Sequence, residues 1–294
     1  MPSFFQINQI VGYSDVFTET SYTHGEFVRS RNQRTTWSRH AYNSANSSNP
    51  ACQKPYQDFT IDRPKTGKRA ERFFYMNIMT ATQRNVSFSN GDIKLEGVLH
   101  LPNDDEGLPA VVICHPHPRH GGDMDNVVIA SLVRYLGESG IAALRFNFRG
   151  VGASEGNFDG GSGEISDAVE ALNFLSLQDE IDATRIGVAG YSFGAAVALI
   201  ASTYGDVTQA IASVACPSRV FNEMGVHEIL QPKLLVCGER DHNFPAAQFV
   251  FQAKRFTDPK QIELIQNADH FFGDALDYLG EVTGKFFHEW LCER

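Results

Sequence analysis

The chain has 294 residues, of which 25 are Lys or Arg and 35 are Asp or Glu, so its formal charge is −10 with His neutral. This acidic balance argues against a nucleic-acid-binding protein, which needs a basic face. A membrane span is also excluded, because the longest apolar run, residues 193–201, falls short of the ~20 residues that a spanning helix needs. Five cysteines without a CxxC pair indicate reduced thiols and predict a cytoplasmic protein.

The first 78 residues differ in composition from the rest. They contain ten Lys or Arg and six Asp or Glu, and their first ten residues lack the basic and apolar regions of a secretory signal peptide. Residues 30–69 show no helical or strand periodicity, which predicts a poorly structured N-terminal extension over residues 1–78. Two interpretations of this extension remain open. In the first, translation naturally begins at Met76 or Met79. In the second, the extension is an arm that folds over the domain or a partner.

Residues 79–294 are predicted to form a folded domain. It opens with a strand at residues 86–89, a turn at residues 90–92 and a second strand at residues 93–101. Short apolar runs, typical of strands buried on both faces, then alternate with helical patterns, which predicts a mostly parallel central sheet in a three-layer α/β fold with helices on both faces. The further strands are predicted at residues 110–114, 142–146, 186–189, 210–215, 233–237 and 261–265, and the helices at residues 127–136, 164–177, 193–201, 246–256 and 276–291.

Two segments match the pattern Gly-Xaa-Ser-Xaa-Gly, in which a sharp turn presents a serine hydroxyl to solvent. The first, residues 152–156, follows a predicted strand but runs into a long loop. The second, residues 190–194, lies between a predicted strand and an apolar helix, whose N-terminus directs N–H groups towards a developing oxyanion. Because the pattern requires a strand, a turn and a helix, Ser192 is favoured over Ser154 as the nucleophile.

A serine nucleophile needs a base, and the base needs an orienting carboxylate. In this architecture the acid and then the histidine follow the serine along the chain. Asp241 and His270 each come shortly after a predicted strand. The sequence therefore predicts the triad Ser192, Asp241 and His270, with Glu239 as the alternative acid and His242 as the alternative base.

The run His-Pro-His-Pro at residues 115–118 follows the strand at residues 110–114. A loop in this place supplies the second main-chain N–H of an oxyanion hole. The two prolines have no N–H, so the predicted donors are His117 and Phe193, the residue after the nucleophile. Histidines at 115, 117 and 120 leave a zinc site open as an alternative, but the triad itself needs neither a metal nor an organic cofactor.

Over residues 85–292 the chain resembles the α/β-hydrolase superfamily. The resemblance is closest to small lidless members related to dienelactone hydrolases, and among these to bacterial hydrolases with the His-Pro-His-Pro run. Dienelactone hydrolases use a cysteine nucleophile, so the serine at position 192 disfavours their chemistry. The motifs that carry the resemblance are CHPHPRHGGDMDN (114–126), LRFNFRGVGASEG (144–156), GYSFG (190–194), GERDHNFP (238–245) and ADHFF (268–272).

The resemblance implies an α/β-hydrolase fold and the same Ser–Asp–His triad. Lidded relatives insert a cap domain after the sixth strand, whereas here only residues 216–232 separate two strands, so no cap domain is expected. The expected function is that of a serine hydrolase of carboxylesterase type acting on a small-molecule ester. Amide or peptide hydrolysis, acyl transfer and a non-catalytic hydrolase-like scaffold remain alternatives, and the oligomeric state stays open, with a homodimer possible.

Overall fold

The structure, a computed structural model, describes residues 82–103, 105–222 and 225–293. The extension predicted over residues 1–78 lies outside the described residues. The described strands are β1 (Thr82–Asn90), β2 (Ile93–Leu101), β3 (Leu108–Cys114), β4 (Ala142–Phe146), β5 (Ile181–Tyr191), β6 (Thr208–Val214), β7 (Lys233–Gly238) and β8 (Lys260–Ile265). The described α-helices are α1 (Val127–Glu138), α2 (Ser162–Ser176), α3 (Phe193–Ala201), α4 (Ala246–Ala253) and α5 (Leu276–Leu291).

The described strands form one sheet in the order β1-β2-β4-β3-β5-β6-β7-β8. β1 and β2 form the predicted antiparallel hairpin, in which Asn90 pairs with Ile93 across the turn. Gly91 occupies that turn with φ +58°, a conformation that glycine adopts without steric cost. β2 also runs antiparallel to β4, and all remaining neighbours are parallel. The predicted mostly parallel sheet is therefore confirmed.

Two apolar clusters cover the two faces of the sheet. Residues of α2, α3 and α4 pack on one face, and residues of α1 and α5 pack on the other. Neighbouring residues of β3 contribute to opposite clusters, Val112 to the first and Val111 to the second, because side chains alternate along a strand. Burial on both faces explains why these strands read as continuous apolar runs, and it confirms the three-layer α/β fold.

The topology brings four chain segments to one edge of the sheet. β3, β5, β7 and β8 are parallel, so their carboxyl ends lie at the same edge, where α/β proteins bind ligands. The segments that follow these ends carry the predicted site residues. Between β6 and β7 the described residues contain only two short 3-10 helices, Val220–Asn222 and Val226–Glu228, and no cap domain is evident there.

Membrane-spanning helices were expected to be absent. Within the described residues, no helix has the length and apolarity needed to cross a membrane.

Candidate active site

Ser192 lies at the sharp turn between β5 and α3. Its backbone has φ +56° and ψ −116°, a conformation that residues with a side chain rarely adopt and that is typical of strained functional positions. The N–H of Ser192 donates to the carbonyl oxygen of Val214, 2.8 Å away at the end of β6. This hydrogen bond fixes the turn to the neighbouring strand, so the hydroxyl is held at the N-terminus of α3.

Two glycines allow the strand and the helix to approach at this turn. A Cβ atom on Gly190 would overlap the carbonyl oxygen of Gly194, and a Cβ atom on Gly194 would overlap the carbonyl oxygen of Cys114. A larger residue would thus need the backbone to move at either position. The close approach of Gly194 to Cys114 places the first turn of α3 against the end of β3. This brings the run at residues 115–118 beside the nucleophile.

The side chains of Ser192, His270 and Asp241 form one chain of hydrogen bonds. Nε2 of His270 lies 3.0 Å from Oγ of Ser192, and Nδ1 of His270 lies 2.8 Å from Oδ2 of Asp241. With its proton on Nδ1, the neutral imidazole donates to the carboxylate and accepts from the serine hydroxyl. The three residues come from three different loops, as the sequence predicts.

The carboxylate of Asp241 is 1% exposed, and a buried charge is tolerated only when hydrogen bonds satisfy it. Oδ1 accepts the N–H of Asn243 at 2.8 Å, while Oδ2 faces the imidazole of His270. Sγ of Cys237 lies 4.0 Å from the same Oδ2. Burial and the charge of Asp241 raise the pKa of Cys237 to about 12, so this cysteine stays a thiol and is a poor nucleophile.

The loop that carries His270 is held from several sides. The hydroxyl of Tyr191 donates to the carbonyl oxygen of His270 at 3.0 Å, and the N–H of Arg240 donates to the carbonyl oxygen of Ala268 at 2.8 Å. Oδ1 of Asp269 accepts the N–H of Phe271 at 2.9 Å. The sequence analysis did not identify Tyr191, whose only signal is its position directly before the serine in GYSFG.

The alternative acid and base are engaged elsewhere or exposed. Oε2 of Glu239 accepts the main-chain N–H of Asn267 at 2.9 Å, and the side chain is exposed to solvent. His242 is exposed as well. The imidazole of His270 therefore has Asp241 as its carboxylate partner, and the geometry favours the first choice of acid and base over both alternatives.

The serine of the first Gly-Xaa-Ser-Xaa-Gly segment, Ser154, has a structural role. Ser154 is buried, and its Oγ donates to the carbonyl oxygen of Asn147 at 2.7 Å and accepts the N–H of Glu96 at 3.0 Å. The first hydrogen bond closes the loop after β4 on itself, and the second ties that loop to β2. This hydroxyl is thus committed to the backbone, which favours Ser192 as the nucleophile.

His115 uses both ring nitrogens within the fold. Its Nδ1 donates to the carbonyl oxygen of Pro116 at 2.7 Å, and its Nε2 accepts the N–H of Phe148 at 3.1 Å. Burial lowers the pKa of His115 to about 4, which keeps the ring neutral. A ring with both nitrogens engaged has no lone pair to give to zinc, and the described residues contain no cluster of three His, Cys, Asp or Glu side chains suited to a metal.

The two predicted oxyanion-hole residues are neighbours in the structure. The rings of His117 and Phe193 lie 4.9 Å apart, and the ring of Phe158 lies 4.9 Å from that of His117. Nδ1 of His117 accepts the N–H of Arg119, and its carbonyl oxygen accepts the N–H of Gly122, so the loop is tightly turned around this residue. His117 and the first turn of α3 therefore form one contiguous wall.

A buried ion pair supports the loop that carries Phe158. Arg149 donates through its side chain to both oxygens of Asp167, which is fully buried, and Asn90 donates to the same carboxylate at 2.8 Å. Glu164, in the first turn of α2, is also buried, and burial raises its pKa. The sequence analysis missed both carboxylates, because a charged residue on an amphipathic helix gives no sign of burial.

A family model described as X-Pro dipeptidyl-peptidase (S15 family) matches residues 90–238, just over half of the chain. The chain belongs to this family of α/β hydrolases. The matched region includes Ser192 and ends before Asp241 and His270. The family's name describes its peptidase members, so it does not by itself give the substrate of this protein.

One sequence relative and two solved structures are similar to most of the chain. An uncharacterized protein of Rickettsia prowazekii is 30% identical over 219 residues, which are 69% of this chain and 91% of the relative. The solved structure of an α/β serine hydrolase homologue from Coxiella burnetii is 33% identical with a TM-score of 0.62, over 69% of this chain and 96% of that one. A serine hydrolase without lid from Xanthomonas campestris is 27% identical with a TM-score of 0.62, over 72% and 96%.

Proposed function

We propose that the protein is a carboxylic ester hydrolase that works through an acyl-enzyme on Ser192. His270 takes the hydroxyl proton as Oγ attacks the ester carbonyl, and then gives that proton to the departing alcohol. Asp241 holds the imidazole in the required tautomer and stabilises the imidazolium. The main-chain N–H groups of Phe193 and His117 stabilise the oxyanion. Water then releases the acyl group, with His270 again as the base.

The proposal rests above all on the hydrogen-bond chain from the buried carboxylate of Asp241 through His270 to Ser192. It is supported by the backbone of Ser192, since strain of this kind costs about 1–3 kcal/mol and persists where the surroundings require it. A non-catalytic scaffold gains nothing from strain at the residue whose hydroxyl meets the imidazole. These observations favour a hydrolase over the scaffold alternative.

Small soluble esters are the substrate class that we propose. The described residues between β6 and β7 leave no room for a cap domain, and an open site suits a small substrate. The rings of His117, Phe158 and Phe193 offer an apolar wall beside the nucleophile. We further propose a cytoplasmic location, which the four free thiols among the described residues support.

The family match supports a second candidate, release of an N-terminal X-Pro dipeptide by the same triad, which cleaves the bond after the proline. The acyl-enzyme chemistry is shared, because His270 can protonate a departing amine as it protonates a departing alcohol. Acyl transfer to an alcohol differs only in what clears the acyl-enzyme. The nature of the leaving group therefore separates the esterase from the peptidase.

A comparison of leaving groups tests the proposal. We would measure kcat/KM for p-nitrophenyl acetate, butyrate and octanoate and for glycyl-prolyl-p-nitroanilide, with Ser192→Ala as the inactive control. Ester hydrolysis that prefers the shorter chains and disappears in Ser192→Ala is expected. A larger kcat/KM for the prolyl anilide would favour the peptidase, and no turnover of any substrate would contradict both.

A further inference from the structure

The residue before the nucleophile contacts the residue that serves as its base. Tyr191 ends β5, and its hydroxyl donates to the main-chain carbonyl oxygen of His270 at 3.0 Å. The ring of Tyr191 lies 5.6 Å from the imidazole and packs at a steep angle against the buried ring of Phe272. Tyr191 is 3% exposed, and a hydrogen bond from a buried donor is stronger than one in water.

We infer that Tyr191 is a positioning residue that sets the distance between Nε2 of His270 and Oγ of Ser192. This inference rests on the proposed function. Tyr191 and Ser192 share a peptide bond, so a hydrogen bond from Tyr191 to the backbone of His270 links the nucleophile and the base by a short path. The 3.0 Å contact between the two reacting side chains is then determined locally.

The loop around His270 needs such a link. It leaves β8 through Asn267 at φ +62° and continues into Phe272 at φ +57°, so a backbone conformation that is unfavourable for residues with a side chain lies on each side of the base. Other hydrogen bonds hold Ala268 and Phe271. Among the described residues, the hydroxyl of Tyr191 is the donor that reaches the carbonyl of His270 itself.

The hydroxyl remains a donor across the working pH range. Burial raises the pKa of Tyr191, and the charges of Asp241 and Asp269 act in the same direction. The phenol therefore stays protonated. Its role is to donate to the backbone, and proton transfer to the substrate is left to the imidazole.

Tyr278 provides a matched control for the loss of one tyrosine hydroxyl. Its hydroxyl donates to Oε1 of Glu263 at 2.8 Å, on the exposed side of the molecule. Tyr278→Phe and Tyr191→Phe thus remove the same group. Only the second variant loses a contact with the base.

The experiment follows the reaction of Ser192 with a fluorophosphonate in wild type, Tyr191→Phe and Tyr278→Phe. The rate constant at saturation is expected to fall about tenfold in Tyr191→Phe with an unchanged half-saturation concentration, because misplacement of a reacting group lowers rate without weakening binding. Tyr278→Phe is expected to match wild type. Thermal midpoints of all three proteins accompany the rates.

A double-mutant cycle with Asp241→Asn separates positioning from a general effect on the fold. Asp241→Asn disturbs the imidazole directly, so the loss caused by Tyr191→Phe should shrink in that background. The cycle is measured as hydrolysis of p-nitrophenyl butyrate, with kcat and KM determined separately. If the fold-loss of kcat in the double variant equals the product of the fold-losses in the two single variants, the inference is contradicted.

The remaining outcomes are also decisive. If wild type and Tyr191→Phe both react with the fluorophosphonate at Ser192 and at equal rates, the inference is overturned and the proposed function stands. Wild type that does not react would overturn both. A Tyr191→Phe protein that does not fold would assign the hydroxyl to the stability of the domain, against the positioning role.

Discussion

The guanidinium of Arg149 holds the fully buried carboxylate of Asp167 through two side-chain hydrogen bonds, of 2.8 and 3.0 Å. The N–H of Arg149 donates to the same carboxylate at 3.0 Å. This pair joins the loop after β4 to α2, and that loop carries Phe158 into contact with His117 and Phe193. The ion pair therefore supports the loop that places the ring of Phe158 beside the candidate nucleophile.

Arg149→Lys should destabilise the domain by about 1–3 kcal/mol, because lysine keeps the charge but cannot make the forked contact that a buried carboxylate needs. Urea unfolding followed by circular dichroism measures the change. Arg84→Lys is the control, since Arg84 forks onto Glu180 at the surface, where such pairs contribute at most about 1 kcal/mol. Equal losses in the two variants would contradict this account.

Asp241→Asn should lower kcat for ester hydrolysis by about 10³–10⁴-fold, because the amide no longer fixes Nδ1–H of His270 or stabilises the imidazolium. Initial rates with p-nitrophenyl butyrate measure the loss. Glu239→Gln serves as the control and should retain kcat within about twofold, since Glu239 contacts the backbone of Asn267. If Glu239→Gln loses more kcat than Asp241→Asn, Glu239 is the acid that orients the imidazole.

Ser154→Ala should reduce stability while leaving the chemistry intact. The change removes the hydroxyl between the N–H of Glu96 and the carbonyl of Asn147, and unsatisfied buried groups cost about 1–3 kcal/mol. Urea unfolding measures the loss, and kcat is expected to stay near that of wild type. A variant with full stability and no activity would make Ser154 the nucleophile.

Stability should fall as the pH is lowered from about 6.5 to about 4. Burial lowers the pKa of both His100 and His115 to about 4, with the charge of Arg145 acting on His100 as well, whereas unfolded histidine titrates near pH 6.5. In this window the unfolded chain binds more protons, so the free energy of unfolding rises with pH. His100→Gln should flatten this slope when unfolding is measured from pH 4 to pH 8; an unchanged slope would rule out this contribution.

The strands and helices of the described domain were largely predictable, because buried parallel strands appear as apolar runs between helical patterns. β5 begins at Ile181 rather than at residue 186, since residues 182–185, three of which are polar, interrupt the apolar run while Ile181 still pairs with Leu108. α4 ends at Ala253 rather than at residue 256. The apolar pattern continues to Phe256 because this side chain is buried in the turn that follows the helix.

The candidate site was predictable where chemistry follows chain order. Ser192, Asp241 and His270 each follow a strand, so the sequence could indicate them without any knowledge of distances. Tyr191 and Asp167 could not be found in this way. A hydroxyl directed at the carbonyl of a remote loop, or a carboxylate buried against an arginine, leaves no periodic pattern and no characteristic spacing.

The central claim is that the imidazole of His270 activates Ser192. Intact-mass analysis after treatment with a fluorophosphonate tests it most directly, on wild type, Ser192→Ala and Ser154→Ala. The account predicts a single adduct on wild type and on Ser154→Ala, and none on Ser192→Ala. An adduct that persists in Ser192→Ala, or a wild type that takes up no label, would contradict it.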